Sequence, residues 1–553
     1  MRGEGGSMTT HEVINQPPPL IDYNPFTADR TLQAALHRQG GAWAHDDLTS
    51  FGAVVGSAEV IEWGFLANTN PPQLVTHDPF GHRIDRVEYH PAWHSLMNLS
   101  VSQGLHSMPW EGNQGGGYAA RAAGFYVMSQ IEQGHGCPIS MTTSVVPSLR
   151  LQPDLASEWE PYVFSRTYDP SFAPRSEKAG VLLGMALTEK QGGSDVRANA
   201  STAAPINGGG PGGEYALTGH KWFCSAPMSD AFLVLAQAPD GLSCFLLPRW
   251  TPGGEQNTIT LQRLKDKLGN RSNASSEIEF DNAWGRMVGE AGRGVRTIIE
   301  MINHTRLDCV IGSAAIMRQA VTQAVHHSRH RKAFGHMLTD QPLMQNVLAD
   351  MVVESEAATL LMMRLAGAFD RKEDEFEASF MRIATSVGKF WVCKRTPMLA
   401  AEALECLGGN GYVEESIMPR LYRESPVNSV WEGSGNVIAL DVVRALNRAP
   451  DSLEAFLAET DLAGGADARL DRAIVQLKTA LADLDAVETQ ARRLVEHLAL
   501  VLQGSLVVRH ASPAVSEAFL ASRFDSGWGR AFGTLPNGLD LDSIVSRADT
   551  ASR

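Results

Sequence analysis

"MALTEKQGGSDV" (residues 185–196) is the stretch on which the reading of this chain turns. An apolar, strand-like run bends at a Gly-Gly pair that gathers Thr188, Glu189, Ser194 and Asp195. Backbone N–H groups freed by such a turn, together with two hydroxyls, suit a phosphate or a flat polar heterocycle. Taken alone, an ordinary hairpin loop explains the same residues slightly better. Further on, "GHKWFCSAP" (219–227) puts Trp222, Phe223 and Ser225 on a second strand. A strand aromatic is usually core; a ring beside a hydroxyl also walls a cofactor.

Around these two stretches the chain changes character. "VLLGMALTE", "EYALTGHKWF", "AFLVLAQA", "SCFLLPR", "TITLQRL" and "SSEIEF" are short runs separated by Gly, Pro, Asn and Asp, which predicts a small antiparallel barrel or sandwich. Before them, residues 20–180 carry helical patterning, with "TNPPQ" and "HDPFGHR" as loops. After them, 294–330 keeps apolar residues at three-to-four spacing, and 341–371, 376–407 and 434–447 complete a helical bundle. "LNRAPDS" (446–452) breaks the run ahead of more helix over 453–523. The expected organisation is α+β multidomain: an arm (1–20), a helical domain (21–181), a β-domain (182–293), a helical bundle (294–448) and an additional helical module (449–553).

Hydrophobic content of 43% and charged content of 20% describe a globular chain, and no apolar stretch approaches the roughly 18 residues of a membrane span. "MRGEGGSMTTHEV" lacks an apolar signal core, and six scattered cysteines without a CxxC pair fit a reducing compartment, so a cytoplasmic location is expected. A net charge of −15 argues against a wholly nucleic-acid-binding surface while leaving room for a local basic patch.

"NSVWEGSGN" (428–436) sets Glu432 between Trp431 and Gly433. Its carboxylate is either a surface turn residue or a base held dry, because burial raises a carboxylate's pKa.

The ordered set "TE…GSD", "GHKWF-S", "KLGNRS" (267–272), "EAGRG" (290–294), "HTR" (304–306), "RKAFG" (331–335), "GGNGY" (408–412) and "WEGSGN" resembles the acyl-CoA dehydrogenase superfamily over roughly residues 90–447. "NQPPPL" (15–20), "NPPQL" (70–74), "HPAWHSLM" (90–97), "RLKDKLGNRSNAS" (263–275) and "MPRLYRESPVNSVWEGSGN" (418–436) are similar to the AidB-like alkylation-response branch, over nearly the whole chain. The resemblance implies FAD held between β-domain and bundle. Met185, Leu187, Thr188, Gly193 and Ser194 would contact it, with Phe223, Cys224 and Ser225 at its ring. Trp431, Gly433, Ser434 and Asn436 would close the site. Arg331, Phe334, Gly408 and Gly409 would hold a neighbouring subunit's adenosine, which implies a homotetramer. Glu432 would remove the α-proton of an acyl-CoA thioester while the β-hydrogen leaves as hydride to flavin N5.

Departures from the family pattern are expected to shape specificity. Trp431 replaces the usual Tyr and Lys190 the usual Pro, both reshaping the acyl side so that long chains are excluded and short branched ones such as isovaleryl-CoA fit. Gln341 falls one place early, with Pro342 at the family's site, and Glu405 stands where a Gln often precedes "GG". His326, His327 and His330 lack a carboxylate partner, so no metal is expected, and "RKEDEFE" (371–377) reads as a solvated run.

The AidB-like branch also implies duplex DNA as a partner. Residues 449–553 hold ten Lys/Arg against fifteen Asp/Glu, so any phosphate contact depends on local clusters: Arg444, Arg469 with Arg472, and Arg492 with Arg493. Three readings follow: an AidB-like FAD protein with weak dehydrogenase chemistry, a fully working acyl-CoA dehydrogenase, or a DNA-binding module whose flavin is structural.

Overall fold

The computed structural model describes residues 10–112, 114–482, 487–525 and 529–550; the first nine residues of the expected arm and short pieces of the C-terminal module lie outside them. Helices from Arg30–Arg38 to Pro153–Val163 form the N-terminal layer. Among them Gly117–Ile131 is buried on every side, because its sequence is mostly small or apolar. Its one charge, Arg121, is neutralised by Asp308 of the first bundle helix, Nη2 to Oδ2 2.8 Å.

One segment differs from the sequence expectation here. Residues 73–88 are a hairpin, Gln73–His77 against Arg83–Glu88, and "HDPFGHR" is its turn. The strand "RIDRVE" shows little apolar alternation because it docks through polar bonds: Arg83 donates to the Leu261 carbonyl at 2.8 Å, and Leu261 N–H to Asp85 at 3.1 Å.

The β-domain is a small closed barrel. Strands Thr202–Ile206, Glu214–Ser225, Ser275–Val288, Gly241–Pro248 and Ala231–Ala238 pair around a ring. Leu183–Ala186 joins Ala231–Ala238 in parallel, which departs from an all-antiparallel expectation, and Ile259–Leu264 flanks Ser275–Val288. "TAAPI" escaped notice as a strand because its small residues and Pro205 carry weak β-propensity. "AFLVLAQA" is apolar as far as Gln237 for a reason. Phe232, Val234 and Ala236 fill the barrel, while Ala231, Leu233 and Leu235 pack against the N-terminal helices.

Helices Gly294–His330, Pro342–Asp370, Glu375–Cys406 and Gly435–Arg448 make the bundle. The C-terminal helices, chiefly Val487–His510, share one hydrophobic core with it. Buried ion pairs also bind the two: Arg364 bridges Glu377 and Glu459, and Arg523 bridges Asp350 and Glu354. Glu377 corrects the reading of "RKEDEFE" as solvated, since it is buried and also holds Arg371. No helix among the described residues is long and apolar enough to cross a membrane.

Barrel and bundle are registered by "KLGNRS". A Cβ on Gly269 would stand 2.3 Å from the Arg423 carbonyl, so only glycine permits the approach. Asn270, at φ +54°, then bonds Glu424 through its backbone N–H and its side chain, the latter at 2.8 Å.

Candidate active site

Strand Leu183–Ala186 delivers Met185, Leu187 and Thr188 to the barrel rim, where the Trp222 N–H donates to the Thr188 carbonyl at 2.8 Å. Gly193 folds back so closely that a Cβ would lie 2.5 Å from the Thr188 hydroxyl, and Gly193 and Ser194 are exposed there. A bulge between Lys221 and Cys224 turns two consecutive aromatics outward. Lys221 and Cys224 point into the barrel, fully buried, while Phe223 is 48% exposed. Cys224 therefore presents no side chain to a cofactor, against expectation. Ser225 remains at the rim, its hydroxyl 3.3 Å from that of Ser275.

The opposing wall is the turn between Val430 and helix Gly435–Arg448. Glu432 adopts φ +56°, a left-handed conformation costly for a residue with a Cβ. Three consecutive carbonyls pin it. Lys389 donates to the Trp431 carbonyl at 2.8 Å and to that of Gly433; Arg306 Nε donates to that of Glu432 at 3.1 Å. Gly433, at φ +103°, completes the reversal, and the Trp431 indole N–H donates to Asn428 at 2.9 Å. Glu432 keeps some surface open yet is packed deeply enough that desolvation raises its pKa above the ordinary carboxylate value. A Thr305 hydrogen bond and the Lys389 and Arg306 charges pull the other way.

Cys137, on helix Gly136–Leu149, spans the two walls: it lies within hydrogen-bonding reach of Ser225 and Asn273 and feels the Glu432 charge. Burial pushes its thiol up to about 12, and burial lowers nearby Lys267 to about 8. The cleft thus faces an acid held dry, a half-exposed aromatic ring, a Gly-Gly bend and several hydroxyls. That donor set, with an open aromatic wall, fits a flavin.

Ser434 and Asn436 lie exposed at the same turn, where Arg492 of the C-terminal module reaches Asn436 Oδ1 at 3.3 Å and Lys394 packs on Gly435. Arg331, Phe334, Gly408 and Gly409 are not brought to this cleft. They form a separate surface where Phe334 is 95% exposed, and Arg331 donates to the Asn15 carbonyl at 2.6 Å. Lys190 is exposed over Trp222 and 4.0 Å from Glu279, and Lys265 lies over both Trp222 and Phe223.

Arg444 is exposed but shares Asp441 with Arg306, and Arg469 is held by Asp467 and Glu517. His326 bonds the Pro18 carbonyl, and no cluster among the described residues is built for a metal. A cavity of about 200 Å³ beside Trp159, Trp250 and Arg286 contains none of the motif residues.

Sequence reasoning passed over Lys389, Lys394 and Cys137 at this site, and read Arg492 only as part of a basic cluster with Arg493. For Lys389 a signal existed: a lone charge inside the apolar run "ATSVGKFWVC".

Barrel between helical layers, and an acid on the turn facing it, define an acyl-CoA dehydrogenase-type oxidoreductase. The chain belongs to the acyl-CoA dehydrogenase family. The adaptive response protein AidB N-terminal domain matches residues 15–170, the acyl-CoA dehydrogenase middle domain 184–283 and the C-terminal domain 292–447. It is AidB-like: the Escherichia coli AidB protein is 44% identical over 522 residues, covering 94% of this chain and 95% of that one. Acyl-CoA dehydrogenase family member 11 of Caenorhabditis elegans is 31% identical over 89% of this chain and 84% of its own. The crystal structure of Caenorhabditis elegans ACDH-11 in complex with C11-CoA superposes with a TM-score of 0.84, at 27% identity, covering 99% of this chain and 94% of that one.

Proposed function

We propose that this protein holds FAD in the cleft between barrel and bundle and dehydrogenates short or branched acyl-CoA thioesters, slowly, with Glu432 as base. The observation that carries the reading is Glu432 itself: a carboxylate on a strained, triply anchored turn, opposite Ser225 and Phe223. When bound, the flavin supplies the hydride acceptor. Met185, Leu187, Thr188, Gly193 and Ser194 would hold it from the barrel rim, with Phe223 and Ser225 beside its ring. Trp431, Gly433, Ser434 and Asn436 would close the cleft. Desolvation lets Glu432 take a weakly acidic α-proton that an exposed carboxylate would leave in place. Trp431, filling space beside the base, supports a small acyl group.

Arg331, Phe334, Gly408 and Gly409 are proposed to meet a second copy, in a homotetramer. The exposed apolar side chains of Phe334, Leu343 and Tyr412 support that surface. Six unpaired cysteines support a cytoplasmic location. Sequence-independent duplex DNA binding is a second reading, supported by exposed Arg444, Arg472 and Arg493. Purified protein titrated anaerobically with isovaleryl-CoA tests the main reading: flavin absorbance that bleaches supports it, and protein that neither contains nor takes up FAD refutes it.

A further inference from the structure

Lys389 is a buried ammonium, 1% exposed, on helix Glu375–Cys406. Its ammonium donates to the carbonyls of Trp431 and Gly433, on either side of Glu432. Burying an ammonium without a bonded anion costs several kcal/mol by rough estimate, so a core helix retains one only against a compensating role. Arg306, the other cation that donates to a carbonyl beside Glu432, is matched by Asp441 at 2.7 Å. Of these two, Lys389 is the one with no carboxylate bonded to it.

We propose that Lys389 is a positioning residue of the catalytic turn, fixing the two flanking carbonyls so that Glu432 enters the cleft, while its charge favours the carboxylate form. The proposal rests on Glu432 being the base. The carbonyl bonds hold the peptide units that force φ to +56° at Glu432, and without them the turn relaxes toward an unstrained conformation. The groups facing the carboxylate are Thr305, Arg306 and Cys309 from helix Gly294–His330, Lys389 from its own helix, and Cys137 across the cleft. Of these, Lys389 and Arg306 carry positive charge, and both thiols are held neutral by burial. Removing the Lys389 charge thus raises the proton affinity of Glu432, and keeping a cation preserves it.

The test compares Lys389→Gln, which keeps a donor without charge, with Lys389→Arg, which keeps the charge. In the full-length protein, the Glu432 carboxyl band is titrated by infrared difference against Glu432→Gln, and anaerobic flavin reduction by isovaleryl-CoA is followed across pH. In Lys389→Gln the Glu432 titration and the acidic limb of the rate should both move to higher pH, by about one unit for a lost neighbouring charge, with the plateau rate at least about tenfold lower. Lys389→Arg should restore the titration to the wild-type position. An unmoved titration in Lys389→Gln, or equal slowing in both variants without a shift, would overturn the proposal. If Lys389→Gln fails to fold, Lys389→Arg decides: a wild-type titration with reduction within a few-fold supports it, and a displaced titration refutes it. Failure of the base reading is seen separately, as Glu432→Gln bleaching at the wild-type rate.

Discussion

Lys221 Nζ donates to Glu189 Oε1 at 2.7 Å, with both side chains fully buried inside the barrel. The pair joins the two stretches that face the cleft, one carrying Thr188 and the other Phe223 and Ser225. Glu189 also accepts from the Ser201 hydroxyl and the Ala200 N–H, both at 2.7 Å, so its charge is fully answered. The barrel side of the cleft is therefore built on a buried ion pair.

Glu189→Gln should destabilise the protein by about 3–5 kcal/mol, because the Lys221 ammonium is left buried without its anion. Glu189 also fixes a pH dependence. Desolvation opposes ionisation, but the Lys221 and Ser201 bonds win and bring its pKa down to about 2. A depressed carboxylate stabilises the fold above its unfolded pKa of 4.5, and the contribution is lost as pH falls from there toward 2. Chemical denaturation between pH 7 and pH 3 should show that loss in wild type and a flatter profile in Glu189→Gln.

Gly269→Ala should loosen barrel from bundle. Its methyl carbon would sit 2.3 Å from a backbone oxygen, not from a side chain that could swing away. Overpacking of this kind costs about 1–3 kcal/mol. A lower melting temperature with weaker flavin retention is expected; an unchanged melt would show that the interface yields freely.

Ser194→Ala and Ser225→Ala should each weaken FAD retention, measured by dialysis and absorbance, since one hydrogen bond contributes about 1 kcal/mol. Cys224→Ser is the contrast: its side chain faces the barrel interior, so it should affect stability more than flavin affinity.

DNA binding, if the second reading holds, should ignore sequence and fall steeply with salt, by about 0.9 log units per phosphate contact per log unit of salt. Arg444→Gln should weaken every duplex alike. Gel shifts that detect no complex at low salt, or one indifferent to salt, would remove that reading.

Much of this was legible in the sequence because the determinants are local. The barrel strands announce themselves by apolar runs between turn residues, and the bundle helices by their period. Glu432 stood out because an acid between Trp431 and Gly433 has no ordinary place in a core. Other features were hidden by their physics. The hairpin over residues 73–88 is held by polar bonds to a strand far along the chain, which leaves no alternation to read. Trp222 and Phe223 are adjacent yet both face outward, because a bulge adds a residue that a two-residue period cannot register. Lys389 bonds a carbonyl beside Glu432 from 43 residues earlier in the chain, and no local pattern connects them.

Anaerobic single-turnover reduction of the bound flavin by isovaleryl-CoA, in wild type and in Glu432→Gln, decides whether Glu432 is the base. The amide keeps size and turn geometry but cannot accept a proton at neutral pH. Glu432→Gln should retain FAD and fold while its flavin stays oxidised, as the wild-type flavin bleaches. A variant that bleaches as fast as wild type would show that Glu432 only shapes its turn and that the base lies elsewhere.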